Sequence, residues 1–185
     1  MAVENVAPDV IGLHPIPFPP VTFHTYDSRS PEAAARVTGL IERRLPSVTV
    51  EHIGSTAVPN CGGKGVIDLM VLYPPGHLDK VKAGLRDLGF QRDPRPGVFS
   101  EDRPMRLGTI DCGGHTFRLH VHVIAADSPE AVALLAFRDH LRTDPALVEA
   151  YTQRKRELIE SGYLDPHDYS EAKTTFVRSV LTAED

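Results

Sequence analysis

The residues best suited to chemistry are a Gly-Ser-Thr turn, residues 54–56, and a single aspartate, Asp68, inside a later apolar run. Gly54 can adopt a positive φ without steric cost. Ser55 and Thr56 add hydroxyls beside backbone N–H groups, as in turns that hold phosphate oxygens. A carboxylate is rarely buried unless it is paired or binds a metal. The pattern predicts a site for phosphate and metal, and the alternative is a tight turn with Asp68 paired to an arginine.

Lys64 lies in a glycine-rich segment, residues 62–65, that has the look of a P-loop. A P-loop requires glycine where Val58 stands, and serine or threonine where Gly65 stands, so the spacing excludes a P-loop NTPase. Lys64 is predicted either to contact a phosphate or to close a turn.

His120 and His122 alternate with apolar residues along a predicted strand, so both imidazoles project from one face. With Asp68 they can form a site of two histidines and one carboxylate, a set that suits Fe, Mn or Zn better than Mg. The alternatives are histidines that hydrogen-bond to their neighbours or line a ligand pocket. The cofactor expected here is a divalent metal, with Mg, Mn and Zn as candidates, and one pocket is expected to hold Asp68, both histidines and Ser55.

Basic side chains concentrate in the second half of the chain. Arg138 and Arg142 are four residues apart on a predicted helix, and Lys155 lies on the next helix. Residues at this spacing share a helix face, and arginine suits bidentate contacts to phosphate. All three are therefore candidate phosphate contacts. For the arginines, the alternative is an ion pair with Asp139 or Glu149.

Composition narrows the class of protein. The 185 residues carry a net charge of −5, which argues against general nucleic-acid binding. No run of about 18 apolar residues indicates a membrane-spanning helix, and the N-terminus lacks a signal-peptide pattern, so a cytoplasmic protein without membrane attachment is expected. Cys61 and Cys112 lack metal-binding spacing and are expected to be free thiols.

Capping residues and hydrophobic periodicity predict the elements that must position these side chains. Residues 1–25 form a proline-rich arm, and residues 26–185 form one domain. Strands are predicted at residues 48–53, 66–73, 97–100, 105–111 and 115–124, and helices after an N-cap at Ser30, at 78–88, from Pro129, from Pro145 to about Gly162, and at 169–181. Strands first and helices later predict a single α+β domain, with a mixed β-sheet covered by helices.

Residues 51–59, Glu-His-Ile-Gly-Ser-Thr-Ala-Val-Pro, closely resemble the signature of the GrpB-like family when taken with Lys64 and the Ile-Asp-Leu that follows. The resemblance spans about residues 26–181 and includes the later motifs at 120–123 and 137–142, Tyr151 with Lys155, and Tyr169 with Lys173. It implies a nucleotidyltransferase-like fold.

Nucleotidyltransferases clamp two metal ions between carboxylates, which the fold supplies as Asp-x-Asp on the strand after the Gly-Ser turn. Asp68 occupies the first position and is the candidate catalytic residue, but Met70 stands at the second. Glu51, Glu101 and Asp111 are candidates to restore a carboxylate by proximity.

The leading expectation is therefore a protein that binds a nucleotide or another phosphorylated small molecule, with weak transferase chemistry at most. The alternative is a non-catalytic regulatory or interaction module with a protein partner. Members of the GrpB-like family occur fused to dephospho-CoA kinase, which is the kind of enzyme that such a module would assist.

Overall fold

The computed structural model describes residues 10–95 and 99–182. The helices are α1 (Ser30–Arg44), α2 (Leu78–Asp87), α3 (Pro129–Thr143), α4 (Pro145–Glu160) and α5 (Pro166–Thr182), and the strands are β1 (Thr49–Ile53), β2 (Val66–Tyr73), β3 (Gln91–Arg92), β4 (Met105–Cys112) and β5 (His115–Ala125). A 3₁₀ turn at Ser55–Ala57 follows β1. None of the helices in the described ranges is long and apolar enough to cross a membrane.

The five strands form one mixed sheet in the order β1-β2-β5-β4-β3. β2 and β5 run parallel at its centre, and the remaining neighbours are antiparallel. The parallel register pairs Asp68 with His120 and Met70 with His122. The candidate site residues of two distant segments are thereby brought to adjacent strands.

One face of the sheet packs against α1 and α2 in the largest apolar cluster. Leu69 and Val121 are fully buried there, as are Val37 and Ile41 of α1. Each such side chain contributes about 1.5–3 kcal/mol through its removal from water. This layer is the main core of the described domain.

The other face is divided. Met70 and Ile124 pack with Ala131 of α3 in a small apolar cluster. A second cluster joins Val58 and Cys61 to side chains of α3, α4 and α5. The polar side chains of Asp68, His120 and His122 belong to neither cluster.

The predicted single α+β domain with a mixed sheet is confirmed, and most elements agree with their predicted bounds to within about two residues. Ser30, the predicted N-cap, is instead the first residue of α1, because Arg29 holds the capping position without a side-chain hydrogen bond. α5 begins at Pro166, before the predicted start. The two-residue strand β3 was not predicted, since it is too short to show a period. Within the predicted strand at 97–100, residues 97 and 98 lie outside the described residues, and Phe99 and Ser100 are not in a strand.

The described part of the proline-rich arm is extended and wraps the domain. Gly12 pairs with Thr109 of β4, and His24 pairs with Gly63. The backbone N–H of Val21 donates to the carbonyl of Leu164 at 2.8 Å. The arm therefore runs from the sheet edge to the loop that precedes β2.

Candidate functional site

The turn after β1 depends on glycine at position 54. Gly54 has φ +71° and ψ −171°, a conformation that is essentially restricted to glycine. A Cβ atom there would lie 2.6 Å from an oxygen of Asp68. The turn can thus pack directly on the carboxylate only because this residue has no side chain. Thr56 anchors the turn, because its hydroxyl lies 3.0 Å from His52 Nε2 and donates to the carbonyl of Val66 at 3.3 Å.

Asp68 lies between the two strand histidines. One of its oxygens is 3.7 Å from His120 Nδ1 and 3.7 Å from His122 Nε2. Burial raises the pKa of Asp68, but Lys64 and the two imidazoles together outweigh burial and hold the pKa well below its usual range. The carboxyl group is therefore ionised, although only 16% of its side chain is exposed.

Burial favours the neutral form of two imidazoles near Asp68, those of His52 and His120. Burial lowers the pKa of His52 to about 4, with Asp68 opposing the change, and burial also lowers the pKa of His120 well below its ordinary value. Nε2 of His120 is buried without a hydrogen-bond partner among the described residues. The ring of His14, from the N-terminal arm, lies 5.6 Å away between centroids.

Three lysines interact electrostatically with the same carboxylate, and we call Lys64, Lys155 and Lys173 the lysine cluster. Burial lowers the pKa of each, to about 7 for Lys173, while Asp68 opposes the effect in all three. The ammonium groups of Lys155 and Lys173 lie over the rings of Tyr151 and Tyr169, at 4.2 and 4.8 Å from the ring centroids. One carboxylate shared among three lysines leaves a positive site on an acidic protein.

A cavity of about 470 Å³ opens beside the turn. It is lined by the end of the arm and the start of α1 (His24, Thr25, Tyr26, Asp27, Ser28, Arg29, Ser30), by the turn and the segment before β2 (Ser55, Thr56, Cys61, Gly63, Lys64, Gly65), and by β5 (His115, Thr116, Phe117, Arg118). Of the residues predicted to share one pocket, Asp68 and both strand histidines lie together on one face of the sheet, and Ser55 lines this cavity. The cavity takes in Ser55 and ends at Arg118, two residues before His120, where a guanidinium nitrogen of Arg118 donates to the carbonyl of Lys64 at 3.1 Å.

The cavity lining favours an anion. Hydroxyl groups come from serines and threonines on all sides, and positive charge comes from Lys64, Arg118 and Arg29. Asp27 is the one acidic residue of the lining, and its hydrogen bonds with Arg29 lower its pKa to about 2. Ser30 Oγ is buried and has no partner among the described residues. The lining thus offers donors and positive charge for a negatively charged group.

The other predicted phosphate contacts lie behind the turn. Arg138 donates to Glu51 at 2.7 Å and to Asp139 at 2.8 Å, so the predicted alternative of an ion pair with Asp139 is observed. Arg142 donates to the carbonyl of Ala57 at 3.0 Å. Lys155 is 1% exposed. None of these three cations lines the cavity, and the two arginines brace the turn from α3.

The donor set does not fit the two metal ions of a nucleotidyltransferase. Met70 is fully buried in an apolar cluster where the second carboxylate would be required. The three substitute carboxylates have other partners: Glu51 pairs with Arg138, Glu101 pairs with Arg106, and Asp111 accepts from Thr116.

The single metal expected of Asp68, His120 and His122 does not fit either. Within residues 10–95 and 99–182, no group of three His, Cys, Asp or Glu side chains is arranged to hold an ion. The neighbouring lysine cluster adds a physical reason, because positive charge opposes cation binding.

Sequence reasoning did not select several residues of the cavity. Strand alternation does predict Arg118 on the same face of β5 as His120 and His122, but its place in the lining of the cavity was not predicted. Nothing in the sequence near Arg29 and Ser30 indicates that these residues line a cavity. They reach the cavity only because the arm turns into α1 beside the start of β5, where the carbonyl of Gly113 accepts from Arg29 at 2.7 Å.

Three comparisons relate the chain to known proteins. A family model described as GrpB protein matches residues 20–183. A UPF0157 protein of Pseudomonas aeruginosa is 33% identical over 141 residues, which cover 74% of this chain and 55% of that protein. The crystal structure of the conserved protein GrpB from Enterococcus faecalis matches with a TM-score of 0.67 at 24% identity, covering 86% of this chain and 94% of that one. This last match establishes a shared fold.

The Cid1 poly(U) polymerase, in a complex with Mg and 3′-dATP, matches more distantly, with a TM-score of 0.49 and 16% identity over 80% of this chain and 49% of that chain. The distance is too great for this match to support a function.

Proposed function

The chain belongs to the GrpB family, and we propose that it binds the phosphate group of a nucleotide or of another phosphorylated small molecule in the cavity beside residues 54–56. The supporting observation is the composition of the lining, in which hydroxyls, Lys64 and Arg118 surround a space whose one carboxylate is neutralised by Arg29. Charge-assisted hydrogen bonds from such groups are the strong contacts of phosphate sites.

The phosphate belongs at the inner end of the cavity, against Ser55, Thr56 and Lys64. Lys64 lies close enough to Asp68 to lower the pKa of that carboxyl. The carboxylate therefore helps to keep Lys64 positive in a buried environment that disfavours its charge. In this arrangement Asp68 positions a cation and does not itself contact the ligand.

The organic part of the ligand belongs at the outer end. The cavity is several times larger than a phosphate group, and its volume lies in the range of small-molecule sites, about 300–1,000 Å³. His24, Tyr26 and His115 line this part of the cavity and provide ring surfaces. Rings and hydroxyls together suit a nucleoside or a similar polar group.

Ligand-induced thermal stabilisation tests the proposal. ATP, AMP and inorganic phosphate are each titrated into the wild-type protein without and with Mg²⁺, because a ligand at about 100 times its Kd stabilises the native state by about 2.7 kcal/mol. Lys64→Met should abolish most of the shift, since it removes the cation at the proposed phosphate position. Lys80→Met is the matched control, because Lys80 is an exposed residue of α2 that does not line the cavity. An equal shift in Lys64→Met and wild-type protein would contradict the proposal.

A non-catalytic regulatory module is the second candidate, and the buried Met70 favours it because the second metal-bridging carboxylate is missing. On this view the ligand controls the affinity for a protein partner, such as a dephospho-CoA kinase. We expect no Mg²⁺-dependent release of pyrophosphate from nucleoside triphosphates, and a change in the kinase's rate when the protein is added. Pyrophosphate release that disappears in Asp68→Asn would instead favour an enzyme. The free thiols of Cys61 and Cys112 suit a cytoplasmic location, which we propose as well.

A further inference from the structure

Cys61 and Lys155 form a close pair at the back of the cavity. The Nζ atom of Lys155 lies 3.1 Å from Sγ of Cys61 and also donates to the carbonyl of Gly62. Lys155 is 1% exposed and Cys61 is 2% exposed. Cys61 lies in the loop after the 3₁₀ turn, whereas Lys155 lies on α4, so the contact joins two distant segments of the chain.

Cys61 is nevertheless one of the residues that line the cavity, so a small molecule in the cavity would lie beside it. Burial lowers the pKa of Lys155, with Cys61 opposing the change. A lowered pKa increases the fraction of neutral amine, which is the nucleophilic form. A thiol that can meet an oxidant therefore lies in contact with a second nucleophile.

We propose that Cys61 and Lys155 are a site of oxidative modification, where a hydroperoxide that enters the cavity produces a reversible sulfenamide cross-link. The thiol sulfur first attacks the peroxide, the O–O bond breaks, and the sulfur becomes sulfenic acid while the peroxide is reduced to an alcohol or water. The Lys155 nitrogen then attacks the sulfenic sulfur. The S–N bond forms, the S–O bond breaks, and the hydroxyl leaves as water with a proton from the amine. Sulfenic acids condense in the same way with a backbone nitrogen to form a sulfenamide, and here the nitrogen in contact with the sulfur is that of Lys155.

The pair is selective among the nucleophiles of the described chain. Cys112 is equally buried, but it packs in the main apolar core and does not line the cavity. Lys173 also belongs to the lysine cluster, but the amine in hydrogen-bond contact with Sγ of Cys61 is that of Lys155, at 3.1 Å. The geometry therefore specifies one cysteine and one lysine.

The consequence for ligand binding rests on the proposed function. A sulfenamide nitrogen is not basic, so the cross-link removes a positive charge from the lysine cluster. The cross-link also joins α4 covalently to the loop that carries Lys64. Both effects weaken the binding of a phosphate group.

Peptide mass mapping tests the cross-link itself. The full-length protein is treated with hydrogen peroxide, alkylated and digested without reductant. We expect a joined peptide that contains Cys61 and Lys155, lighter than its two parts by two hydrogen atoms, which a thiol reductant separates. Cys112→Ser should retain the joined peptide, and Cys61→Ser and Lys155→Met should lose it.

If a variant fails to fold, the wild-type protein alone still tests the cross-link, because the fragment spectrum of the joined peptide identifies both residues. Oxidation of Cys61 only to sulfinic acid, a link from Cys61 to Lys173, or no change at Cys61 would each overturn the proposal. Ligand binding is measured separately, as the thermal shift with ATP before and after peroxide. A joined peptide in a protein that no phosphate ligand stabilises would uphold the cross-link and reject the proposed function.

Discussion

The two faces of the central sheet are built from the same strands and differ completely in character. On the face toward α1 and α2, Leu69 and Val121 continue an unbroken apolar layer. On the opposite face, Asp68 and His120 lie one residue away from them along the same strands. Strand alternation thus separates the residues of the main apolar core from those that carry charge.

The polar face is also divided along its length. Met70 and Ile124 at one end are covered by α3, as a stable core requires. At the other end, Asp68 compensates part of the charge of the lysine cluster in a buried environment. Burying charged groups costs free energy unless each is paired. An arrangement in which three cations share one carboxylate is therefore retained at a cost to stability, which is typical of a functional site.

The largest effect on stability is expected on the apolar face. Leu69→Ala should destabilise the protein by about 2–5 kcal/mol, because it leaves a cavity in a fully packed layer. The change in urea midpoint measures the loss. The folded fraction should bind phosphate ligands with unchanged affinity, since Leu69 points away from the polar face. A weaker affinity in the folded variant would mean that the two faces are coupled.

Gly54→Ala tests the turn, where shape rather than charge is critical. An alanine held in the backbone conformation of Gly54 is strained, which should lower the stability of the protein by about 1–3 kcal/mol. The new Cβ would also displace the carboxylate of Asp68. Both stability and ligand-induced stabilisation should fall, in contrast to Leu69→Ala. Gly114→Ala is the control, because Gly114 also has a positive φ but a Cβ there meets nothing within 4 Å. Equal loss of binding in the two variants would attribute the effect to strain alone.

Asp68→Asn keeps the shape of the site and removes its negative charge. We expect a loss of stability of about 1–3 kcal/mol, because a charged partner is withdrawn from Lys64 and the other lysines. The affinity for phosphate should fall several-fold, because Lys64 loses the carboxylate that keeps it positive and in position, and isothermal titration without Mg²⁺ measures it. An affinity that falls only when Mg²⁺ is present would show that Asp68 holds a metal ion after all.

The smallest effect is expected from the titration of Lys173. Its pKa is lowered by burial to about 7 in the native state, against about 10.4 in the unfolded chain. Between these values the unfolded state binds the extra proton, so the free energy of unfolding should rise with pH, by at most about 1.4 kcal/mol per pH unit. Below about pH 7 both states are protonated and the full cost of burying the charge remains.

Urea unfolding at pH 7 and pH 9 measures this slope. Lys173→Met should show a smaller increase than wild-type protein over the same interval. Identical slopes in the two proteins would assign the pH dependence to Lys64 and Lys155, whose pKa values burial also lowers.

Much of the fold was predictable because its signals are local. Ser128 accepts from the N–H of Glu130 at the start of α3, and Asp144 caps α4 in the same way. Gly113 and Gly114 have the positive φ angles that a tight hairpin requires. Alternation along β5 fixed which side chains share a face, and the structure has Asp68, His120 and His122 together on it.

The site was predicted less well, because its contacts join segments far apart in the chain. No periodicity of α3 could show that Arg138 would be held by Glu51, 87 residues away. The spacing of Tyr151 and Lys155 likewise gave no sign that Lys155 would point beneath the loop at Cys61 and away from a ligand.

The sequence by itself determined the order of the elements, the family resemblance, and the presence of a glycine turn, a lone aspartate and two histidines on known strand faces. These follow from capping, from the steric freedom of glycine and from the two-residue period of a strand, all of which act between near neighbours. Only the tertiary structure decided that the arm, the turn and the start of β5 enclose the cavity, and that three lysines share Asp68. Those results depend on how distant segments pack, since burial and the distances between charges are properties of the assembled domain and of no single segment.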